Sequence, residues 1–79
     1  MVRLLANRSN VAPIDSLSDR ELEIICLLAR GLKLKEVAME LGLSVRTVET
    51  YQMRAQRKLG LRNRAEITRF AYEHKLIQG

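Results

Sequence analysis

Six side chains between residues 46 and 57 could bind a charged, hydrogen-bonding partner. Their spacing places them on one side of an α-helix, and the set comprises Arg46, Glu49, Thr50, Met53, Arg54 and Arg57. Such a helix would present three guanidinium groups, a carboxylate, a hydroxyl and one flexible thioether. Guanidinium groups bind both phosphates and base edges, so this face is suited to a duplex nucleic acid.

The rest of the chain carries few groups that could perform covalent chemistry. It has one cysteine, Cys26, and one histidine, His74, so neither an internal disulfide nor a Cys/His metal cluster can be assembled. No carboxylates are spaced as an acid–base pair, and no glycine-rich phosphate loop is present. We therefore expect no enzyme activity, no metal and no cofactor. Cys26 is expected to fill space and His74 to lie near a helix end.

Composition and charge define the setting of this face. The 79 residues are 47% hydrophobic but only 4% aromatic, which favours one small domain of short helices. Residues 44–69 carry seven bases and two acids, whereas residues 15–41 carry four bases and six acids. This focused positive charge indicates a polyanionic partner. No apolar run has transmembrane or secretory length, so a cytoplasmic location is expected.

Start and stop signals predict an all-α domain of four helices over residues 17–79. Polar N-cap residues and terminal glycines mark most of the helix ends. The predicted helices begin after Ser18, near Lys33 or Leu34, after Ser44 and after Asn63, and they end at Gly31, Gly42, Gly60 and near Lys75. The short second helix, the glycine turn and the third helix (about 45–59) form a helix-turn-helix pattern. Residues 1–16 show no period, so a linker or flexible arm is expected there.

Several motifs resemble those of a known family. The segments LSDRELEII, LARG, KEVA, LS, TVETY and KLGL stand at residues 17–25, 28–31, 35–38, 43–44, 47–51 and 58–61. In this order and spacing they are similar to the LuxR-type helix-turn-helix DNA-binding domain, particularly the output domains of NarL/FixJ-type response regulators. The resemblance covers residues 17 to about 77. It implies a third helix in the major groove, a fourth helix that mediates dimerisation, and an activity in transcription regulation.

The resemblance also implies partners. These are double-stranded DNA, bound by a homodimer in the bacterial cytoplasm and hence at the nucleoid, with RNA polymerase and an N-terminal receiver domain as further candidates. The receiver domain is absent from this chain. Glu49 stands where several members of the family have lysine, so their base contacts do not transfer and the target sequence stays open.

Reach and chemistry assign a role to each exposed side chain of a helix in the groove. The predicted base-reading residues are Arg46, Glu49, Thr50, Met53 and Arg54. The predicted phosphate-binding residues are Lys33, Lys35, Thr47, Arg57 and Lys58. The predicted dimer interface comprises Ile67, Phe70, Ala71 and His74. Several alternatives stay open here. Glu49 could pair with Arg46, and Met53 could be a solvated helix residue without a partner. Thr50 could offer either its methyl group or its hydroxyl to a base, and Arg46 and Arg54 could read guanine or bind phosphate.

A protein-interaction module is the alternative function. In that case the basic third helix would dock on an acidic partner, such as an RNA polymerase subunit or a receiver domain. Retardation of arbitrary duplex DNA at low salt would favour the DNA-binding hypothesis. Tight binding to an acidic protein without such retardation would favour the interaction module.

Overall fold

Four helices follow one another along the chain in the computed structural model, which describes residues 14–77. They are α1 (Asp19–Ala29), α2 (Leu34–Leu41), α3 (Val45–Leu59) and α4 (Arg64–Glu73), preceded by a 3₁₀ turn at Ile14–Ser16. Residues 14–77 contain no β-strand, and the predicted all-α class is confirmed. The predicted linker at residues 1–16 lies outside the described residues except for this turn.

The N-termini of three helices are capped by the polar side chains that the sequence indicates. Ser18 Oγ accepts a hydrogen bond from the Glu21 N–H (3.1 Å), and Glu21 Oε1 accepts one from the Ser18 N–H (2.9 Å). The Ser44 and Asn63 side chains cap α3 and α4 by accepting hydrogen bonds from the N–H groups of Thr47 and Glu66. Each cap satisfies a backbone donor that has no partner within its helix, so the helix boundaries are set locally.

The first turn of α2 lacks such a cap. Its N-cap residue is Lys33, whose side chain makes no capping hydrogen bond. Glu36 compensates in part, because its carboxylate accepts a hydrogen bond from the Lys33 N–H at 2.7 Å. That bond leaves the first N–H groups within α2 without a side-chain acceptor.

All four helices end in a similar backbone arrangement. A residue with positive φ follows each helix, and an N–H one residue further on bonds back to a carbonyl of the last turn, which is the Schellman motif. The four residues with positive φ are Gly31, Gly42, Gly60 and Lys75, and the four N–H donors belong to Leu32, Leu43, Leu61 and Leu76. Gly42 has open space around its Cα, so its φ of 68°, and not crowding, is what favours glycine in the turn before α3.

α4 ends at Glu73, near Lys75 as the sequence indicates. Lys75 takes a φ of 58° and stands two residues beyond the helix, as Gly31 does after α1. The Leu76 N–H then bonds to the Ala71 carbonyl at 2.8 Å, which turns the chain back toward the domain. Ile77 is buried there, so its side chain is part of the core and is not available to a second copy.

One apolar core holds the helices together. α1 packs against both α3 and α4, and α2 packs against α3 and, over a smaller area, against α1. The largest fully buried side chains are Ile24, Ile25, Leu28, Val37, Val48 and Ile67. α1 is therefore the central element, and α3 lies across α1 and α2 with one face enclosed.

Arg64 joins α4 to the end of α1. Its Nε and Nη2 donate to the Leu28 carbonyl at 3.1 and 2.8 Å, and Nη2 also donates to the Leu32 carbonyl. Carbonyls at the end of a helix have no partner within it, and a cation is favoured there by the helix dipole. This guanidinium group is thus committed to the fold.

We predict that Arg64→Met lowers the free energy of unfolding by about 2 kcal/mol, because hydrogen bonds from a charged donor to part-buried carbonyls are lost. Urea denaturation followed by circular dichroism measures the change. Arg62→Met is the matched control, since Arg62 is exposed and its contact with Glu66 is long at 3.7 Å; it should change stability by less than about 0.5 kcal/mol. Equal losses in the two variants would contradict the role given to Arg64.

Candidate nucleic-acid interface

The direction of α3 is set at its first turn and along its inner face. Ser44 Oγ accepts a hydrogen bond from the Thr47 N–H at 3.1 Å and donates one to Thr47 Oγ1 at 2.9 Å. On the inner face Val48, Ala55 and Leu59 are buried. Since side chains in a helix follow one another at fixed angles, burial of these three residues turns residues 46, 49, 50, 53, 54 and 57 toward solvent.

The outward face of α3 is the surface formed by these six residues. Arg46, Glu49, Met53, Arg54 and Arg57 are exposed, and Thr50 is half-buried. Met53 keeps 55% of its surface accessible, and Val45 at the start of the helix keeps 40%. The structure therefore brings all five predicted base-reading residues together on one accessible surface, together with Arg57.

The charged groups of the outward face are unpaired. Within the part of the chain that the structure describes, the recorded ion pairs are Arg20–Glu23, Lys58–Glu21, Arg62–Glu66 and Arg69–Glu73. None of them includes Arg46, Glu49, Arg54 or Arg57, so the alternative in which Glu49 pairs with Arg46 does not occur among these residues. Four charged side chains without partners remain free to bind an external ligand.

Thr50 differs from its neighbours because its hydroxyl has a partner within the helix. Thr50 Oγ1 donates to the Arg46 carbonyl at 3.1 Å. This bond between a threonine and the carbonyl four residues earlier is common inside helices. It uses the hydroxyl proton, so Thr50 can offer its methyl group or an acceptor oxygen to a ligand, but not a donor.

Lys58 has two partners within the domain. Its Nζ lies 2.8 Å from Glu21 Oε1 and donates a second hydrogen bond to the Ser16 carbonyl at 3.1 Å. The sequence predicts that Lys58 binds phosphate and gives no indication of these contacts. They connect the end of α3 to the start of α1 and to the 3₁₀ turn, so we assign Lys58 a structural role.

Glu21 is the buried member of this pair. The residue is only 3% exposed, and Oε1 accepts hydrogen bonds from both Lys58 Nζ and the Ser18 N–H. Burial by itself would raise the pKa of the carboxyl, but the hydrogen bonds and the charge of Lys58 outweigh that effect and hold the pKa below its ordinary value. The carboxylate is therefore charged at neutral pH and neutralises Lys58.

Three of the other predicted phosphate-binding residues lie at the starts of α2 and α3. Lys33 and Lys35 are exposed at the start of α2, and Thr47 is half-buried in the first turn of α3. The two lysines stand beside the N–H groups of α2 that no side chain caps. A phosphate placed there would meet cations and free backbone donors together.

The predicted dimer interface is only partly at the surface. Ile67 and Ala71 are fully buried within the single chain, so placing them at an interface was wrong: both face α1 and the core. Phe70 is half-buried and stacks on His74 at 4.0 Å between ring centroids. The exposed side of α4 consists of Ala65, Arg69, Tyr72 and Glu73, and His74 is exposed just beyond the end of the helix.

Residues 14–77 offer few groups that could perform covalent chemistry. No group of three or more metal-ligating side chains occurs in that range. Burial raises the pKa of the Cys26 thiol; Arg30 opposes this effect and Glu23 adds to it, and a raised pKa disfavours the reactive thiolate. None of the described helices has the length and apolar character needed to cross a membrane.

α3 is held by a short helix and a tight turn, and the cations of its outward face are unpaired, which is the arrangement of a helix-turn-helix DNA-binding domain of transcription regulation. Residues 15–71 match GerE, the luxR family of bacterial regulatory proteins. The chain belongs to this family, as the motifs between residues 17 and 61 indicate. The family is one of DNA-binding regulator domains and not a class of enzymes.

Known proteins with similar sequences are regulators of greater length. The chain is 42% identical over 73 residues to the oxygen regulatory protein NreC of Staphylococcus aureus strain bovine RF122 / ET3-1, covering 92% of this chain and 33% of that protein. It is also 42% identical over 66 residues to NreC of strain JH9, covering 84% of this chain and 30% of the relative. The chain thus spans about a third of these relatives.

We predict that Glu21→Gln removes part of the pH dependence of stability. A carboxyl whose pKa is lowered by folding stabilises the folded state above its ordinary pKa, near 4.5, and that contribution is lost as the pH falls through the lowered value. The free energy of unfolding of the variant should be lower by about 2 kcal/mol at pH 7. It should also decline less between neutral and acidic pH than that of the unsubstituted chain.

Urea denaturation at a series of pH values measures both effects. Glu23→Gln is the matched control, because Glu23 lies on the same helix but pairs with Arg20 at the surface. Its pH profile should follow that of the unsubstituted chain within about 0.5 kcal/mol. Parallel profiles for Glu21→Gln and the unsubstituted chain would show that the buried pair does not contribute as described.

Proposed function

We propose that α3 lies in the major groove of duplex DNA and reads its sequence, as the output domain of a longer response regulator. The observation that supports this most directly is the unpaired outward face of α3, from Arg46 to Arg57. A major groove is wide enough to admit one α-helix. The family to which the chain belongs, and relatives three times its length, support the same role.

Each free side chain has a contact suited to its chemistry. Glu49 accepts a hydrogen bond from cytosine N4, and Arg46 and Arg54 read guanine or bind phosphate. The phosphate contacts come from Lys33, Lys35, Thr47 and Arg57, which fix the position of the helix. Lys58 is left out of this set because Glu21 already neutralises it.

Pairing of two copies on DNA completes the proposal. One α3 of 15 residues reaches only a few base pairs, so two copies on half-sites about 34 Å apart would read one site together. The exposed side of α4, with Arg69, Tyr72 and Glu73, is the surface that we propose for this contact. The same role implies two further partners, a receiver domain and RNA polymerase. It also implies a location in the bacterial cytoplasm.

A comparison of two neighbouring cations tests the groove contact. Arg57→Met should reduce the slope of log affinity against log salt concentration by about 1 for each bound copy, because one phosphate contact is lost. Lys58→Met should leave that slope unchanged, since Lys58 is paired within the domain, although it should lower the free energy of unfolding. Fluorescence anisotropy with a labelled 30-base-pair duplex at several salt concentrations measures the slopes. Equal changes in slope for the two variants would contradict the different roles given to Arg57 and Lys58. A chain that fails to bind the duplex at low salt would overturn the proposed function.

Glu49→Ala tests base reading. We expect selection from a random duplex pool to show a cytosine at one position of each half-site for the unsubstituted chain and a relaxed preference there for the variant. The difference should be about 1–3 kcal/mol in discrimination, with no loss of affinity for arbitrary DNA, since a negative charge has been removed. Glu40→Ala is the control, because Glu40 is an exposed acid on α2. Identical preferences in the two variants would exclude Glu49 as a base-reading residue.

A further inference from the structure

Two side chains with apolar groups lie between two arginines on the outward face of α3. Arg46, Thr50, Met53 and Arg57 follow one another at intervals of four, three and four residues, which forms one row along a helix. With a rise of about 1.5 Å per residue, the two arginines stand roughly 16 Å apart along the axis. The major groove is about 12 Å wide, so both guanidinium groups can reach phosphates at its edges. Thr50 and Met53 then lie over the base edges.

The structure limits what Thr50 can offer at this position. Its hydroxyl proton is bonded to the Arg46 carbonyl at 3.1 Å, inside the helix. The hydroxyl is therefore not free to donate to a base acceptor such as thymine O4, and its oxygen can only accept. Thymine presents O4 and the C5-methyl group in the major groove, so contact between methyl groups is what remains to Thr50 at a thymine.

Met53 supplies the second apolar group. It keeps 55% of its surface accessible and lies beside the exposed Arg46, Glu49, Arg54 and Arg57. A methionine side chain is flexible and adapts to irregular apolar surfaces. The only apolar group that base pairs present in the major groove is the C5-methyl group of thymine. Met53 and the Thr50 methyl are thus matched to the same chemical feature.

We propose that the centre of the α3 face recognises thymine C5-methyl groups, one through the Thr50 methyl and one through Met53, in each half-site. This inference rests on the proposed function, because it requires α3 to lie in the major groove. It adds a chemical class of ligand: the half-site carries thymines whose methyl groups, and not their O4 acceptors, are read. Hydrogen bonding from Glu49 and the arginines then determines the flanking bases.

Replacement of thymine by uracil tests this directly, because uracil keeps the pairing and the O4 acceptor and lacks only the methyl group. The probe is a 30-base-pair duplex obtained by selecting a random pool with the full 79-residue chain. Uracil at either of two thymines per half-site should weaken binding about fourfold, as expected for one methyl group returned to water. Uracil at the remaining thymines should change the affinity by less than twofold.

Two substitutions at Thr50 separate the methyl group from the hydroxyl. Thr50→Val keeps a methyl group and the branched shape but removes the hydroxyl, whereas Thr50→Ser keeps the hydroxyl and removes the methyl group. We expect Thr50→Val to keep the thymine–uracil difference at both positions and Thr50→Ser to lose it at one. Met53→Ala should lose it at the other position. Circular dichroism confirms that each variant is folded before binding is measured.

The outcomes distinguish this inference from the proposed function. A selected duplex that binds equally well with thymine or uracil would overturn methyl recognition and leave groove binding intact. Loss of the difference in Thr50→Val together with its retention in Thr50→Ser would show that the hydroxyl is the group that reads the base, and would also overturn it. Failure of the chain to retain any duplex at low salt would overturn the proposed function itself.

Discussion

The burial of one narrow side of α3 is the constraint on which the rest of the structure depends. Val48, Ala55 and Leu59 are enclosed against the other helices, and the geometry of a helix then determines where every other residue of α3 points. No further contact is therefore needed to orient the outward face of α3. A change in the core beneath α3 would redirect Arg46 and Arg57 without altering a single group of the outward face, so stability and recognition are linked through packing.

The cations of this domain have two different roles. The residue type alone does not show which role a given cation has. Lys58 and Arg64 donate to groups of the fold, and their removal would leave part-buried acceptors without partners. Arg46, Arg54 and Arg57 have no such partners among residues 14–77. The four arginines raise the positive potential around the domain, whereas the charge of Lys58 is offset by Glu21. A cation without an internal partner can replace a counterion condensed on a DNA phosphate.

The sequence predicts the parts of this structure that depend on neighbours within a few residues. Helix starts at Ser18, Ser44 and Asn63 and most helix ends are found correctly, because caps and terminal glycines act within one turn. The contacts of Lys58 and Arg64 are missed because their partners lie 37 and 36 residues away. The burial of Ile67 and Ala71 is missed for a related reason: an apolar stripe shows that a helix has a buried side, but not whether its own core or a second copy covers it.

The proposed pairing of two copies on DNA would serve specificity more than affinity. A genome offers about 10⁶ or more competing sites, and discrimination of that size requires about 8 kcal/mol. Contacts from the five proposed base-reading residues of one α3, at roughly 1 kcal/mol each at the low end of the range, fall short of this, whereas two copies double the sum. Since Ile67 and Ala71 are enclosed, the side of α4 left for pairing is small and largely polar. Such a surface favours weak association in solution, so the duplex itself would bring the copies together.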